Sequence, residues 1–324
     1  MKKVITVVSF ILIASFIVYR IGKEDAPLPN QNRVKNVDVV SKNKSVKPKF
    51  SHRSESIKEI VQDESQVKDI IREITNTDIS VFERTPKILS LRNLALTDSD
   101  EKEILTHLKK VDLKESQSIK NDLIEHMIRY GKDQALVGRT LLDIMRNSGQ
   151  DRVVREYVLQ YIPEYYLNRW SPGKLWDDVE AQDRQLFNET MWEMTNLTEG
   201  SMAGGALFAL HRLADRYDDI DQQEVFKKAQ SILIDPGYMN PNRMGAVQIL
   251  AFSKNEEYFK AAKEILYDES QPVLLKVTAI HTAAQSRVKD KDFIKYLKTM
   301  AKGGEGIHPS LSKCANLTLS KIKY

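Results

Sequence analysis

The sequence predicts an all-α fold of antiparallel helix pairs stacked side by side, and three observations carry that prediction. Gly245 to Ser253 runs in register with Thr278 to Ser286 at an offset of 33 residues, and a weaker copy surrounds Cys314-Ala315-Asn316, a further 36 on. Each copy follows a proline (Pro241, Pro272, Pro309) and then a basic residue (Arg243, Lys276, Lys313). A repeat in this range marks units that bury their apolar faces only by stacking. Only 13 Gly and 10 Pro in 324 residues, with 29% charged, suit long helices with wet outer faces. Single-residue Cys314 excludes an intrachain disulfide framework and any cysteine-based zinc knuckle.

Met1-Lys2-Lys3 precedes Val4 to Tyr19, sixteen residues without a charge, and then Arg20. A basic start and an apolar run describe a signal anchor, at the lower limit for spanning a bilayer once Ile21 and Gly22 are drawn in. Residues 1–22 are therefore expected to act as an uncleaved single-pass anchor. The body is expected on the periplasmic or extracellular side. Residues 23–53, with Pro27, Pro29 and Pro48 and no apolar face, read as a basic flexible linker. From Arg20 to Arg53 there are 9 Lys and Arg against 3 Asp and Glu, or +6, and Lys2 and Lys3 add +2. The chain's +4 then leaves 38 basic against 42 acidic residues, or −4, for the remainder. The linker suits an anionic surface; the acidic body argues against nucleic acid.

Residues 54–76 carry Ile57, Ile60, Val61, Val67, Ile70, Ile71 and Ile74 at three- and four-residue steps, the mark of amphipathic helix. Residues 77–324 are expected to form the repeat domain. Thr85-Pro86 predicts a helix through Ala95, and Thr97-Asp98 one to Lys110. Further helices are expected at Ser116–Tyr130, Lys132–Asn147 and Asp151–Tyr166. Beyond a longer interruption come Trp176–Leu197, Ser201–Arg216, Gln222–Ile234, Asn242–Phe252, Glu256–Tyr267, Val273–Arg287, Lys291–Lys302 and Ser310–Ile322. Connections this short force neighbouring helices antiparallel. Gly205-Ala206-Leu207 aligns 40 residues before Gly245, and Tyr157-Val158-Leu159 aligns another 49 before that, placing Tyr157 opposite the core alanine.

The run Leu142 to Leu159 contains Asp151-Arg152-Val153-Val154-Arg155 after a short turn. This resembles the HEAT-like repeat family, over about residues 84–324. The resemblance implies a right-handed α-α superhelix and carries no catalytic residues. Diiron hydroxylases of that fold use His-Glu dipeptides, absent here. His107, His126 and His211 have Glu103, Asp122 and Asp215 one turn away, which reads as ordinary helix-surface pairing. No metal site, cofactor or enzymatic activity is expected. Gly200 to Gly205 lacks the lysine of a phosphate loop and reads as a helix start whose small residues permit close packing.

Eight of the 25 aromatics, all three tryptophans among them, fall between Tyr157 and Trp192. Tyr165, Tyr166, Trp170 and Trp176 are the candidate partner-binding residues, because rigid amphipathic rings beside a helical surface suit a protein or peptide contact. The competing reading is a packing plug. Taken together, the sequence favours a membrane-tethered scaffold for protein–protein interaction. An enzyme or lyase on the same superhelix is the alternative, followed by a steric chaperone resembling the lipase-specific foldases, whose Arg-x-x-Phe-Asp-Tyr signature is missing.

Overall fold

The computed structural model describes residues 65–112, 114–169, 178–253, 256–283 and 290–322. The chain divides into two units, Met1–His52 and Arg53–Tyr324, and all the described residues lie in the second. The expected anchor and linker lie outside them. Among the described residues no helix is long and apolar enough to cross a membrane.

The described residues hold fourteen helices and no strand. Helix α1 covers 65–75, followed by α2 (Val81–Ser90), a 3-10 turn (Leu91–Asn93), α3 (Asp98–Lys109) and α4 (Gln117–Tyr130). Then come α5 (Gln134–Arg146), α6 (Arg152–Arg169), α7 (Asp178–Met194), α8 (Met202–Ala214) and α9 (Gln222–Ile234). The last are α10 (Asn240–Phe252), α11 (Glu256–Tyr267), α12 (Val273–Ala283), α13 (Lys291–Lys302) and α14 (Pro309–Lys321). From α3 onward each odd helix packs on the even helix after it, and every even helix from α2 to α14 touches the next even one. The even helices thus form one row.

One expected boundary is corrected. Helix α2 begins at Val81, because Ser80 and Glu83 close a capping box that satisfies the first free N–H groups, and Pro86 falls inside the helix. By contrast, Thr97 and Asp100 cap α3 where the sequence indicated.

A recurring set of hydrogen bonds holds the row in register. Arg84 Nε donates to the Ile74 carbonyl at 2.6 Å, Arg155 Nε to Met145 at 2.8 Å, and Arg243 Nε to Leu233 at 2.9 Å. Lys120 Nζ donates to the Lys110 carbonyl at 2.6 Å. Each is a basic residue near the start of an even helix reaching the last carbonyls of the odd helix before it, which have no intrahelical donor. The same side chains also reach forward. Arg84 grips Glu115 bidentately at 2.9 and 2.6 Å, Lys120 donates to Gln150 at 2.8 Å, and Arg243 to Gln271 at 2.9 Å. Each acceptor stands just before the next even helix, in a turn opened by an Asn or Asp. Asn76, Asp112, Asn147, Asp235 and Asp268 each accept from the backbone N–H two residues on.

These rungs correct the alignment in two places. Ser312 replaces the basic residue in α14, donating to Ala301 at 3.0 Å, and Lys313 is exposed. Val158, fully buried, shares the spine with Leu123, Ala206, Ala246, Ala279 and Ala315, while Tyr157 is only half-buried. Four positions after each rung residue, and after Ala203 and Lys276 at the same place in α8 and α12, stand Ile88, Ile124, Leu159, Leu207, Val247 and Ile280, all buried. In α14 that position is Asn316, which is exposed and donates back to Ala301 at 2.8 Å.

Helix α8 has Ala203 at the rung position. There Asn242, fully buried, spans the gap: its Nδ2 donates to Thr198 at 2.8 Å and its Oδ1 accepts from the Gly204 N–H at 3.1 Å. This needs near contact of backbones. A Cβ on Gly245 would lie 2.7 Å from Gly204 Cα, so the small residues of 200–205 do serve close packing.

Glu115 is the most committed carboxylate in the ladder. Its side chain is fully buried, takes both Arg84 bonds and accepts from the Ser116 N–H at 2.7 Å. Burial pushes its carboxyl up, but His107, Arg84 and Ser116 outweigh that and hold it at about 2. Glu115→Gln leaves Arg84 buried without its counter-charge and is expected to cost about 3 kcal/mol. Glu103→Gln, exposed on α3, should shift stability by less than about 0.5 kcal/mol. Urea midpoints of the two variants check this; equal midpoints would remove the buried pair from the account.

Candidate functional site

Helix α4 is where polar groups accumulate that the ladder does not use. It buries Ile119, Leu123, Ile124 and Met127, leaves Asn121, Asp122 and Glu125 half-buried, and exposes Arg129. Asp122, His126 and Tyr130 follow one another at four-residue steps and so share a stripe. Tyr161 on α6 and Arg92 on the 3-10 turn act on the same groups, so the cluster draws on two members of the even row and the turn that follows α2.

Its electrostatics are unusual for a helix face. Burial and then the neighbouring Glu125 raise the Asp122 carboxyl, partly offset by Arg92. Glu125 itself is paired with Arg129 at 2.7 Å. Burial and then Arg92 push His126 down to about 4, so the ring is neutral at pH 7. Burial and Glu125 raise the Tyr161 hydroxyl, against a hydrogen bond from Asn121.

His126 is 3% exposed, and neither ring nitrogen has a hydrogen-bond partner. Asn121 Oδ1 is buried and without a donor as well. The only ring near His126 among the described aromatic contacts is Tyr130, 5.1 Å away between centroids. Orphaned buried polar groups each cost about 1–3 kcal/mol, and in a native fold they ask for a reason.

The histidine expectations are corrected here. Apart from half-buried His281, the predicted helix histidines are not surface pairs. His107 lies 2.7 Å from Glu115, off the axis of its ring N–H, and thus belongs to the ladder. His211 is buried, stacked on Phe252 at 5.1 Å and 13°, with Asp215 only a secondary influence against burial. Among the described residues no group of three His, Cys, Asp or Glu side chains could hold a metal ion.

The aromatic candidates separate. Tyr165 and Tyr166 are 3% and 1% exposed. The Tyr165 hydroxyl donates to the Gln134 carbonyl, and Tyr166 packs edge-on against Phe187 at 4.6 Å. Neither has surface left for a partner, so both are corrected to core residues. Trp170 and Trp176 lie outside the described residues.

No known family model and no curated protein matches the chain. Among solved structures, human deoxyhypusine hydroxylase in complex with glycerol is similar at 12% identity and a TM-score of 0.31. The match covers 82% of this chain and 99% of that one. Similarity at that level transfers neither fold detail nor chemistry, so the site is read on its own residues.

The neutral His126 has a measurable consequence. Once unfolded, the ring takes a proton below its ordinary value of 6.5, whereas in the fold it stays neutral until about 4. Stability is therefore lost as pH falls from 6.5 to 4, by at most about 3 kcal/mol. Glu115 adds a second loss between 4.5 and about 2. Denaturation across this range should show both, and His126→Leu should shrink the upper part, leaving the share of buried His211 and of His281, and spare the lower part; an unchanged slope would place the ring in solvent.

Proposed function

We propose that this protein is a membrane-tethered scaffold for protein–protein interaction, with no catalysis of its own. In this reading the helix pairs form a right-handed, HEAT-like α-α superhelix. Residues 4–21 hold it in the membrane, and the basic linker spaces it from the surface. The observation that carries the reading is the recurrence of the rungs from Arg84 to Ser312. Such a ladder makes an extended row in which each pair depends mainly on its neighbours, and extended rows suit binding more than enclosed chemistry. The partner is a protein or peptide. The body faces the periplasmic or extracellular side.

Asp122, His126 and Tyr161 favour a second reading, an enzyme on the same scaffold, because perturbed titratable groups gather at reactive sites. The first is preferred because His126, held down to about 4 and hydrogen-bonded to nothing, binds a proton too weakly to serve as a general base at neutral pH.

Proximity labelling from a fusion at Tyr324 is expected to enrich a small set of envelope proteins over a control carrying residues 1–53 alone. Identical sets would sink the scaffold reading. A dual reporter at the same terminus should report export. Trp170→Ala with Trp176→Ala should reduce the labelled set at unchanged Tm if the tryptophans meet partners; a lower Tm with the set intact would make them a plug.

A further inference from the structure

Basic residues of the ladder donate in two directions, and Lys276 does neither. Arg84, Lys120, Arg155 and Arg243 each donate to the carbonyl ten residues before them. For Lys276 that carbonyl is Leu266, and it accepts instead from the Tyr296 hydroxyl of α13 at 3.2 Å. Forward, Arg84, Lys120 and Arg243 meet Glu115, Gln150 and Gln271, each five residues before the next rung position. Five residues before Ser312 the chain has Ile307, whose side chain accepts nothing.

Lys276 is nonetheless only 9% exposed, and it makes no hydrogen bond or ion pair among the described residues. Its Nζ is not one of the enclosed polar atoms that lack a partner, so the ammonium reaches solvent while the stem lies buried. Asp268 does not satisfy it. Hydrogen bonds from Ser270 and Gln271 occupy both Asp268 oxygens and hold that carboxyl below its usual range, with Lys276 the smallest of the influences on it.

We infer that Lys276 offers its ammonium to a carboxylate of a partner protein, an acidic side chain standing to Lys276 as Glu115 stands to Arg84. This rests on the scaffold reading and names the chemistry of the partner. An ammonium carries three donors and no acceptor, and a carboxylate supplies both the acceptor and the counter-charge that this rung lacks. Ile307, at the place of the missing acceptor, also lines a cavity of about 640 Å³ with Gly303, Gly304, Pro309 and Leu317. Its walls are mainly apolar, and exposed Lys313 adds a positive charge to them. The partner's acidic residue is therefore expected to have apolar neighbours.

The test uses the full chain in nanodiscs with lysine labelled at Cε, the Lys276 signal being assigned by its loss in Lys276→Met. The probe is the α-amide of N-acetyl-L-glutamic acid, and N-acetyl-L-glutaminamide is its neutral isostere. A saturable shift of the Lys276 signal with the acid only is expected. Ile307→Gln gives the ladder its own acceptor and should weaken the probe about tenfold, the loss of one charge-assisted contact. It leaves the lysine in place and so carries the test if Lys276→Met does not fold. Lys313→Ala should keep the shift saturable; its disappearance there would move the site to Lys313 and overturn the assignment. No shift, an unsaturable one, an equal one with the amide, or indifference to Ile307→Gln would mean that the ammonium faces water alone, and would overturn the proposal. The labelling experiment is read separately. Neighbours lost in Lys276→Met at unchanged Tm are expected. Neighbours retained there, with the probe binding the unaltered chain, would reject a partner's side chain in favour of a free carboxylate and leave the scaffold standing. Probe binding with no labelled neighbours on the unaltered chain would reject the scaffold and keep the site.

Discussion

Helix ends set the terms of this structure. The last carbonyls of a helix have no intrahelical donor, and where the next unit packs over them they must find one elsewhere. Arg84, Lys120, Arg155 and Arg243 resolve this by donating backward to those carbonyls, and Arg84, Lys120 and Arg243 also donate forward to the next turn. One side chain thereby caps a helix and fixes the spacing of the neighbouring unit. A buried cation is expensive unless it is fully bonded, and that makes the register exacting: a shift of one residue would leave a charge and several carbonyls without partners.

Much of the ladder was legible in the sequence. The offsets among Ala246, Ala279 and Ala315 located the spine, and Asp151 to Arg155 displayed a complete turn: Asp151 accepts from the Val153 N–H at 2.7 Å while Arg155 reaches Met145. A wider pattern also stood there to be read. Asp112, Glu115 and Lys120 have the same spacing as Asn147, Gln150 and Arg155, and as Asp268, Gln271 and Lys276. Lys313 and Tyr157 were each placed one position out because a basic residue or an aromatic was matched by type. What decides the register is the capacity to reach a carbonyl, and serine can do that from a shorter distance than lysine.

The candidate site was less legible for a different reason. Four-residue steps from Asp122 to His126 and from Asp215 to His211 look alike in sequence, and both look like solvated pairs. Burial separates them from that picture, and burial is set by the neighbouring helices. His126 is enclosed on α4 within electrostatic reach of Arg92, and His211 is enclosed where Phe252 lies flat on it. The tyrosines failed as contact residues for the converse reason. Tyr165 closes on Gly138, where an added Cβ would lie 2.8 Å from its hydroxyl, so a glycine on α5 made the room that drew the ring inward.

Asn316 carries a consequence for the molecule as a whole. Stacked helix pairs share a property with β-strands: each unit can seat another wherever its apolar column is left uncovered. At the place where six helices hold Ile, Val or Leu, α14 holds an amide already turned back onto Ala301. Burying that position against a further apolar surface would strip the hydrogen bond to Ala301. Among the described helices, α14 thus has at this position a side chain that further packing would have to desolvate, where its counterparts in the row are apolar.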